Sequence, residues 1–197
     1  MQNQTQPTRR ETWRRDLAGL HDLHVLSFAA VLSAMSLILG KYLQIPHPWG
    51  QLIRISFENL PVLLSGIFFG PLVGVLTGAV ADLVGCLLYG YAINPLVTLG
   101  AALVGGVSGA VSHYVCRRPR VLSVAVSVLS AHLVGSVLVK TLGLASWYLA
   151  GYNIGIWSLV LIRLCNYTLI GVAEGALILA LLRNRALTAQ IERMRRK

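Results

Sequence analysis

Charge is what this chain of 197 residues has least of: 12% of its residues are charged, and only 7 are Asp or Glu. A soluble domain of ordinary composition is about 25% charged. By contrast, 55% of the residues are hydrophobic, and the body of the chain is poorer in charge than its two ends, which are densely basic. This composition argues against a water-soluble domain and indicates a membrane protein.

Cysteine is also scarce, with 3 residues and no CxxC spacing. These cysteines read as small apolar residues and not as a disulfide framework. The spacing typical of metal ligands is absent among four histidines: His24, His47, His113 and His132. We therefore expect neither a metal site nor a cofactor.

Several catalytic and processing motifs are missing as well. No GxxxxGK[ST] phosphate loop is present, so any ATP hydrolysis must come from a partner. A Ser/His/Asp arrangement and an HExxH motif are also lacking, although intramembrane carboxylates leave an integral-membrane enzyme as an alternative. The first 20 residues are polar and basic, without a cleavable signal, so the first membrane helix is expected to act as the insertion signal.

What the sequence has is a series of long apolar runs. A spanning helix needs about 20 mostly apolar residues. Breaks rich in Pro, Gly or Arg separate six such runs, predicted at about 24–43, 52–70, 71–89, 95–115, 121–142 and 157–182. We predict an all-α integral membrane six-helix bundle at 23–182, between basic tails at 1–22 and 183–197.

The cations predict the orientation. With the N-terminus inside, the two tails and the connection at 117–120 hold thirteen of the 17 Lys and Arg residues, and the outer loops hold none. Positive residues favour the cytoplasmic side. Both termini are thus predicted to be cytoplasmic, in a plasma membrane. The same distribution explains the net charge of +10 without a nucleic-acid partner.

The four remaining cations are Lys41, Arg54, Lys140 and Arg163. All are predicted in the outer third of their spans, where the simplest explanation is that they snorkel toward the headgroups. For Lys41, snorkelling and burial are equally favoured. Arg163 lies deeper, which favours a buried role. Together, four inward-pointing cations would form an outward-facing cavity that attracts anions, with Arg suited to bidentate binding of a carboxylate.

The carboxylates follow a different pattern. Glu58 comes four residues after Arg54, so the two are predicted to share one helix face and to pair. Asp82 lies midway along the third span with Gly78 and Gly85 on its face, so it is predicted to point into the bundle. It would either pair with a cation or accept N–H donors from a ligand ring. Glu174, in the cytoplasmic half of the last span, is predicted to be structural or partner-facing.

The segment from Ile53 to Tyr114 resembles a known family. Its informative pieces are ISFENLPVLLSGIFFGP, GVLTGAVADLVG and GYAINPLVTLGAALVG. These pieces are similar to the substrate-binding S components of energy-coupling factor (ECF) vitamin transporters, above all to the folate-specific members. The six-span layout with both termini inside fits over about 160 residues, a length set by the number of spans. Outside the segment, the likeness is one of layout more than of motif.

The resemblance implies a non-enzymatic subunit that captures a vitamin near the extracellular side. A transmembrane T component and two ATPase subunits would then drive its reorientation in the membrane. Ala30 and Ala34 match the family's AxxxA patch, which docks on the T component. On its own, such a patch is usually ordinary helix packing.

Folate has a pterin ring with N–H donors and a glutamate with two carboxylates. The outer cations would suit the glutamate, and Asp82 or Glu58 with Asn94 would suit the ring edge. Aromatic side chains at Tyr91, Trp147 and Tyr148 are predicted to stack on the rings or to close the site. Another vitamin or precursor, such as a queuosine precursor or pantothenate, remains an alternative substrate, although a neutral one would leave the cations unexplained.

Overall fold

The computed structural model describes residues 17, 19–20, 22–47, 50–115, 120–145 and 155–184, apart from the side chains at 44–47, 50–54 and 120. Most of both predicted tails lies outside this part of the chain. The division into two tails and one membrane domain therefore stays a prediction at its boundaries.

Six helices make up most of the described residues. They are α1 (Leu23–Tyr42), α2 (Asn59–Phe69), α3 (Pro71–Tyr89), α4 (Pro95–Ala110), α5 (Arg120–Ala131) and α6 (Ile156–Arg183). Two of them continue as π-helical turns, α4 through Val111–Val115 and α5 through His132–Val139. Within the described ranges, five helices are long and apolar enough to cross a membrane, and α2 is the shorter one. The predicted all-α bundle of six helices is confirmed.

A β-hairpin replaces the predicted beginning of the second span. Strand β1 (Gln44–His47) pairs antiparallel with β2 (Gly50–Ser56), with Ile45 opposite Ile55. Helix α2 starts only after it and has 11 residues, or about 16 Å, roughly half of the bilayer core. The prediction that a span begins near residue 52 was wrong, because Pro46 disfavours a helix and the alternating residues that follow pair as a strand.

The hairpin also corrects the prediction that Arg54 and Glu58 share one helix face, while their pairing stays a prediction because the side chain of Arg54 lies outside the described residues. Arg54 lies in β2, whereas Glu58 is the residue immediately before α2. The two residues therefore do not share a helix face. The four-residue spacing that suggested a pair applies only where the chain between the two is helical.

Glycine joins the consecutive helices α2, α3 and α4. Gly70, with φ of 99°, makes the turn into Pro71, where α3 begins. Between α3 and α4, the backbones meet directly: a Cβ at Gly74 would collide with the carbonyl of Gly105, and one at Gly105 would collide with Gly74. Such close approach is how small residues hold membrane helices together.

Helix α2 lies at the centre of the bundle. Nine of its 11 residues are buried, and Leu63 and Val62 belong to a cluster that also includes Val104, Val128 and Ile178 from three other helices. The outward faces of the longer helices are apolar and exposed, as lipid contact requires; Leu169 in α6 is 73% exposed. Polar side chains lie between the buried α2 and these lipid-facing surfaces.

Candidate functional site

The hairpin end of the bundle, where α1, α3 and α5 end and α2, α4 and α6 begin, brings several of the predicted residues together. Glu58 and Lys140 meet there, with Lys140 Nζ 3.9 Å from Glu58 Oε1. The backbone carbonyl of Glu58 accepts a 2.6 Å hydrogen bond from Ser36 Oγ in α1. Its carboxylate lies against Gly40, where a Cβ would be 3.1 Å from Oε2. Glu58 thus connects α1, α2 and α5.

The predicted cations differ in burial. Lys140 is 7% exposed and Arg163 is 5% exposed, so both face the interior; burial was favoured for Arg163 and left open for Lys140. Lys41, in contrast, is exposed, and its Nζ lies 4.7 Å from the centroid of the Tyr89 ring. The side chain of Arg54 lies outside the described residues. Of the two alternatives left open for Lys41, its exposure agrees with snorkelling, because its position near a helix end lets the side chain reach outward.

Arg163 is held by neighbours on α5 and α6. Its Nη2 donates to the backbone carbonyl of Ser136 at 3.2 Å and lies 3.4 Å from Tyr167 Oη. The guanidinium carbon lies 5.4 Å from the centroid of the Tyr167 ring. This contact has the geometry of a cation–π pair. Arg163 is a buried, oriented cation within one helix–helix interface.

Asp82 lies half-buried on α3, beside the glycine face that contacts α4. Its Oδ2 accepts a 2.7 Å hydrogen bond from Thr98 Oγ1. The prediction that Asp82 points toward the bundle agrees with this contact. Thr98 is the neutral partner that the sequence did not identify.

Asn94 and Tyr91 lie in the turn between α3 and α4. Asn94 caps α4: its Oδ1 accepts from the Leu96 amide at 3.0 Å, and its Nδ2 donates to the Gly143 carbonyl at 2.7 Å. These bonds tie the start of α4 to the end of α5. Tyr91 is 62% exposed, and its ring meets that of Tyr89 edge to face. Trp147 and Tyr148 lie outside the described residues, so their roles stay predictions.

Ala30 and Ala34 share one face of α1. Both are exposed, whereas Ala29 and Ser33, each one residue earlier and about 100° around the helix, are buried against the bundle. The patch therefore does not serve packing within the described part of the chain. It leaves a smooth surface on which another helix could lie.

Comparison with known proteins assigns this bundle to a family. The sequence model of the family described as "ECF transporter, substrate-specific component" matches residues 24–189. The chain belongs to this family. It is thus a multi-pass membrane protein, and its family is a transporter component, not an enzyme.

Two relatives add detail to the family assignment. The chain is 33% identical over 93 residues to "Folate transporter FolT" of Clostridium novyi (strain NT), which is 47% of this chain and 52% of that protein. The match thus spans about half of the relative's length. The crystal structure of FolT bound with folic acid matches with a TM-score of 0.61 and 23% identity, over 79% of this chain and 90% of that one. At that identity, the likeness supports the fold alone.

One cluster in this substrate-specific component was missed by sequence reasoning. His132 Nε2 lies 2.6 Å from Glu174 Oε2, and His132 Nδ1 lies 3.3 Å from Ser136 Oγ. His132 and Glu174 are 2% and 0% exposed. From its sequence position, His132 was tested only against metal-ligand spacing, which does not reveal a hydrogen bond to a carboxylate. The signal that could have found it is the four-residue spacing of His132, Ser136 and Lys140, which aligns three polar side chains along one helix.

Proposed function

We propose that this substrate-specific component captures folate from outside the cell for an ATP-driven importer in a bacterial plasma membrane. The match to Folate transporter FolT is the observation that carries the proposal. The hairpin end would be the extracellular side, which agrees with the cytoplasmic placement of both basic termini under the positive-inside rule.

The buried cations support an anionic ligand. Lys140 and Arg163 cost free energy when they are taken out of water, and they are retained at the interior of the hairpin end. The carboxylates of the glutamate moiety would add an anionic partner to the contacts that Lys140 and Arg163 already make. The proposed substrate-binding set is Lys41, Arg54, Glu58, Asp82, Tyr91, Asn94, Lys140, Trp147, Tyr148 and Arg163.

Delivery would require partner subunits. The exposed Ala30 and Ala34 on α1 offer a flat patch to a helix of a T component, since small residues let helices approach closely. Two ATPase subunits would supply the ATP hydrolysis. The substrate-specific component would then release folate to the cytoplasm by reorienting in the membrane on these partners.

The experiment is direct ligand binding by the purified protein in detergent. The chain has 4 Trp residues, so folate is expected to quench the intrinsic fluorescence in a saturable way. Riboflavin, thiamine, pantothenate and a queuosine precursor serve as controls and are expected to leave the signal unchanged. Binding of one of these instead of folate would overturn the substrate assignment.

The transport role has its own test, which is co-expression with an ECF module. We expect the protein to co-purify with a T component and two ATPases. A protein that binds no vitamin and recruits none of these subunits would contradict the proposal and would reopen the alternative of a membrane enzyme.

A further inference from the structure

Three carboxylates lie within the described membrane bundle, and they differ in how their oxygens are used. Asp82 Oδ2 accepts from Thr98, and Glu58 Oε1 faces Lys140. Glu174 is 0% exposed, and its Oε2 is hydrogen-bonded to His132. Its Oε1 is fully buried and has no hydrogen-bond partner among the described residues. A buried oxygen of this kind is costly and points to a further group that it receives.

His132 holds the carboxylate in place. The imidazole lies between Glu174 on one nitrogen and Ser136 Oγ on the other. The Tyr167 ring stacks on it, with centroids 5.4 Å apart and planes at 26°. With both nitrogens and one face in contact, the imidazole has little freedom, and Glu174 Oε1 is oriented in turn.

The backbone beside Glu174 leaves space. A Cβ at Gly171 would touch His132 Cδ2 at 3.3 Å, so this glycine admits the imidazole. Gly175 is buried as well. A Cβ there would meet no described atom within 4 Å. The buried face of α6 is therefore closely packed one turn before Glu174 and open immediately after it.

The same interface leads from this carboxylate to the buried cations. His132 and Ser136 on α5 and its π-helical turn face Arg163, Tyr167 and Glu174 on α6. Lys140 lies eight residues beyond His132, which is about 12 Å along the axis at an α-helical rise. The interface thus holds an acceptor at its deep end and cations nearer the hairpin end.

We propose that Glu174, positioned by His132, accepts a ring N–H group at the deep end of the ligand site. The group it would receive is a flat heterocycle with a cyclic amide N–H, because Oε2 is bonded to His132 and Oε1 is left to accept one donor. This inference rests on the proposed capture of folate. It moves the recognition of the pterin edge from Asp82 or Glu58 to Glu174.

The experiment compares two ligands on wild-type protein and on Glu174→Gln. The ligands are folate and a folate methylated on the ring amide nitrogen, and their Kd values are measured by tryptophan quenching. Wild-type protein is expected to favour folate at least about tenfold, since an acceptor left without its N–H donor loses on the order of 1.4 kcal/mol or more. Glu174→Gln keeps the volume and one acceptor, and it is expected to weaken folate about tenfold and to abolish most of the preference.

Two further variants separate recognition from folding. Ser127→Ala is the matched control, because it removes a different buried oxygen that also has no hydrogen-bond partner among the described residues. It is expected to keep the preference for folate. Gly175→Ala should raise thermal stability, because alanine favours a helix more than glycine does, and should weaken folate by filling the space beside Glu174. Weaker binding in a more stable protein cannot come from misfolding.

The outcomes distinguish this inference from the proposed function. Wild-type protein that does not bind folate overturns the proposed function. Wild-type protein that binds folate, with Glu174→Gln showing the same Kd values and the same preference, overturns this inference alone. Equal loss of both ligands in Glu174→Gln also overturns it, because such a loss would mean that Glu174 only joins α5 to α6.

Discussion

Two interfaces of the bundle are built in opposite ways. Between α3 and α4, Gly74 meets Gly105 and Gly78 meets Ala101, so backbone lies against backbone with no side chain between. Between α5 and α6, buried polar side chains face each other: His132 and Ser136 on one helix, Arg163 and Glu174 on the other.

The contrast shows how a membrane bundle combines rigidity with chemistry. Lipid tails are as apolar as leucine, so helices associate through close packing and hydrogen bonds instead of the hydrophobic effect. At Gly74, Gly78 and Gly105, the glycine interface uses packing alone and has no rotamers to rearrange; its hydrogen bond, from Thr98 to Asp82, lies nearer the hairpin end. The polar interface keeps groups that can exchange partners, which a ligand site requires.

The largest expected effect comes from breaking the glycine interface. In Gly105→Ala, the added methyl would collide with the backbone of Gly74, and the helices would have to separate. We expect a loss of about 3 kcal/mol in the free energy of unfolding, at the upper end for overpacking. Denaturant or thermal unfolding in detergent measures it.

The matched control is Gly175→Ala, the same substitution within α6. No described atom lies within 4 Å of the added Cβ, so we expect stability to be unchanged or up to about 1 kcal/mol higher. Equal destabilisation by the two variants would mean that glycine contact does not distinguish the interfaces.

The next largest effect concerns the polar interface. Glu174→Leu and His132→Leu each leave a buried polar group without its partner, and each is expected to cost about 2–3 kcal/mol. The double variant should cost less than the sum, with a coupling of at least about 1 kcal/mol. Purely additive losses would contradict a direct interaction between the two side chains.

A smaller effect is expected when cations are removed. Arg54→Ala and Arg163→Ala should each weaken folate about tenfold, or ~1.4 kcal/mol, because its glutamate moiety would lose a charged partner. A pterin without the glutamate is the matched ligand and should be affected much less. Equal losses for both ligands would remove the assignment of these cations to the glutamate end.

The smallest effect on the isolated protein is expected outside both interfaces. Replacing Ala30 and Ala34 by Leu changes an exposed face of α1, so stability and the Kd for folate should stay within about twofold of wild type, as for surface changes generally. Uptake by cells that express the complete importer should nevertheless be abolished. Loss of binding itself would assign these alanines to internal packing.

Much of this architecture could be predicted from hydropathy, because a span must be long and apolar wherever it lies in the bundle. The third predicted span, 71–89, coincides with α3 (Pro71–Tyr89). The hairpin was missed because its strands are stabilised by pairing Ile45 with Ile55, a contact between residues that local pattern does not connect. The second span was predicted too long for a related reason: α2 has only 11 residues and is stabilised by burial among other helices.

The candidate site divides in the same way. The low charge content, the apolar spans and the buried cations at 140 and 163 follow from the sequence, because a charge that cannot reach water or headgroups must face the bundle interior. Only the tertiary structure decided which groups meet. Glu174 joins His132 across 42 positions of the chain, and Glu58 faces Lys140, which lies on another helix. Partner choice depends on which helix faces which, and helix packing sets that through contacts between residues far apart in the chain.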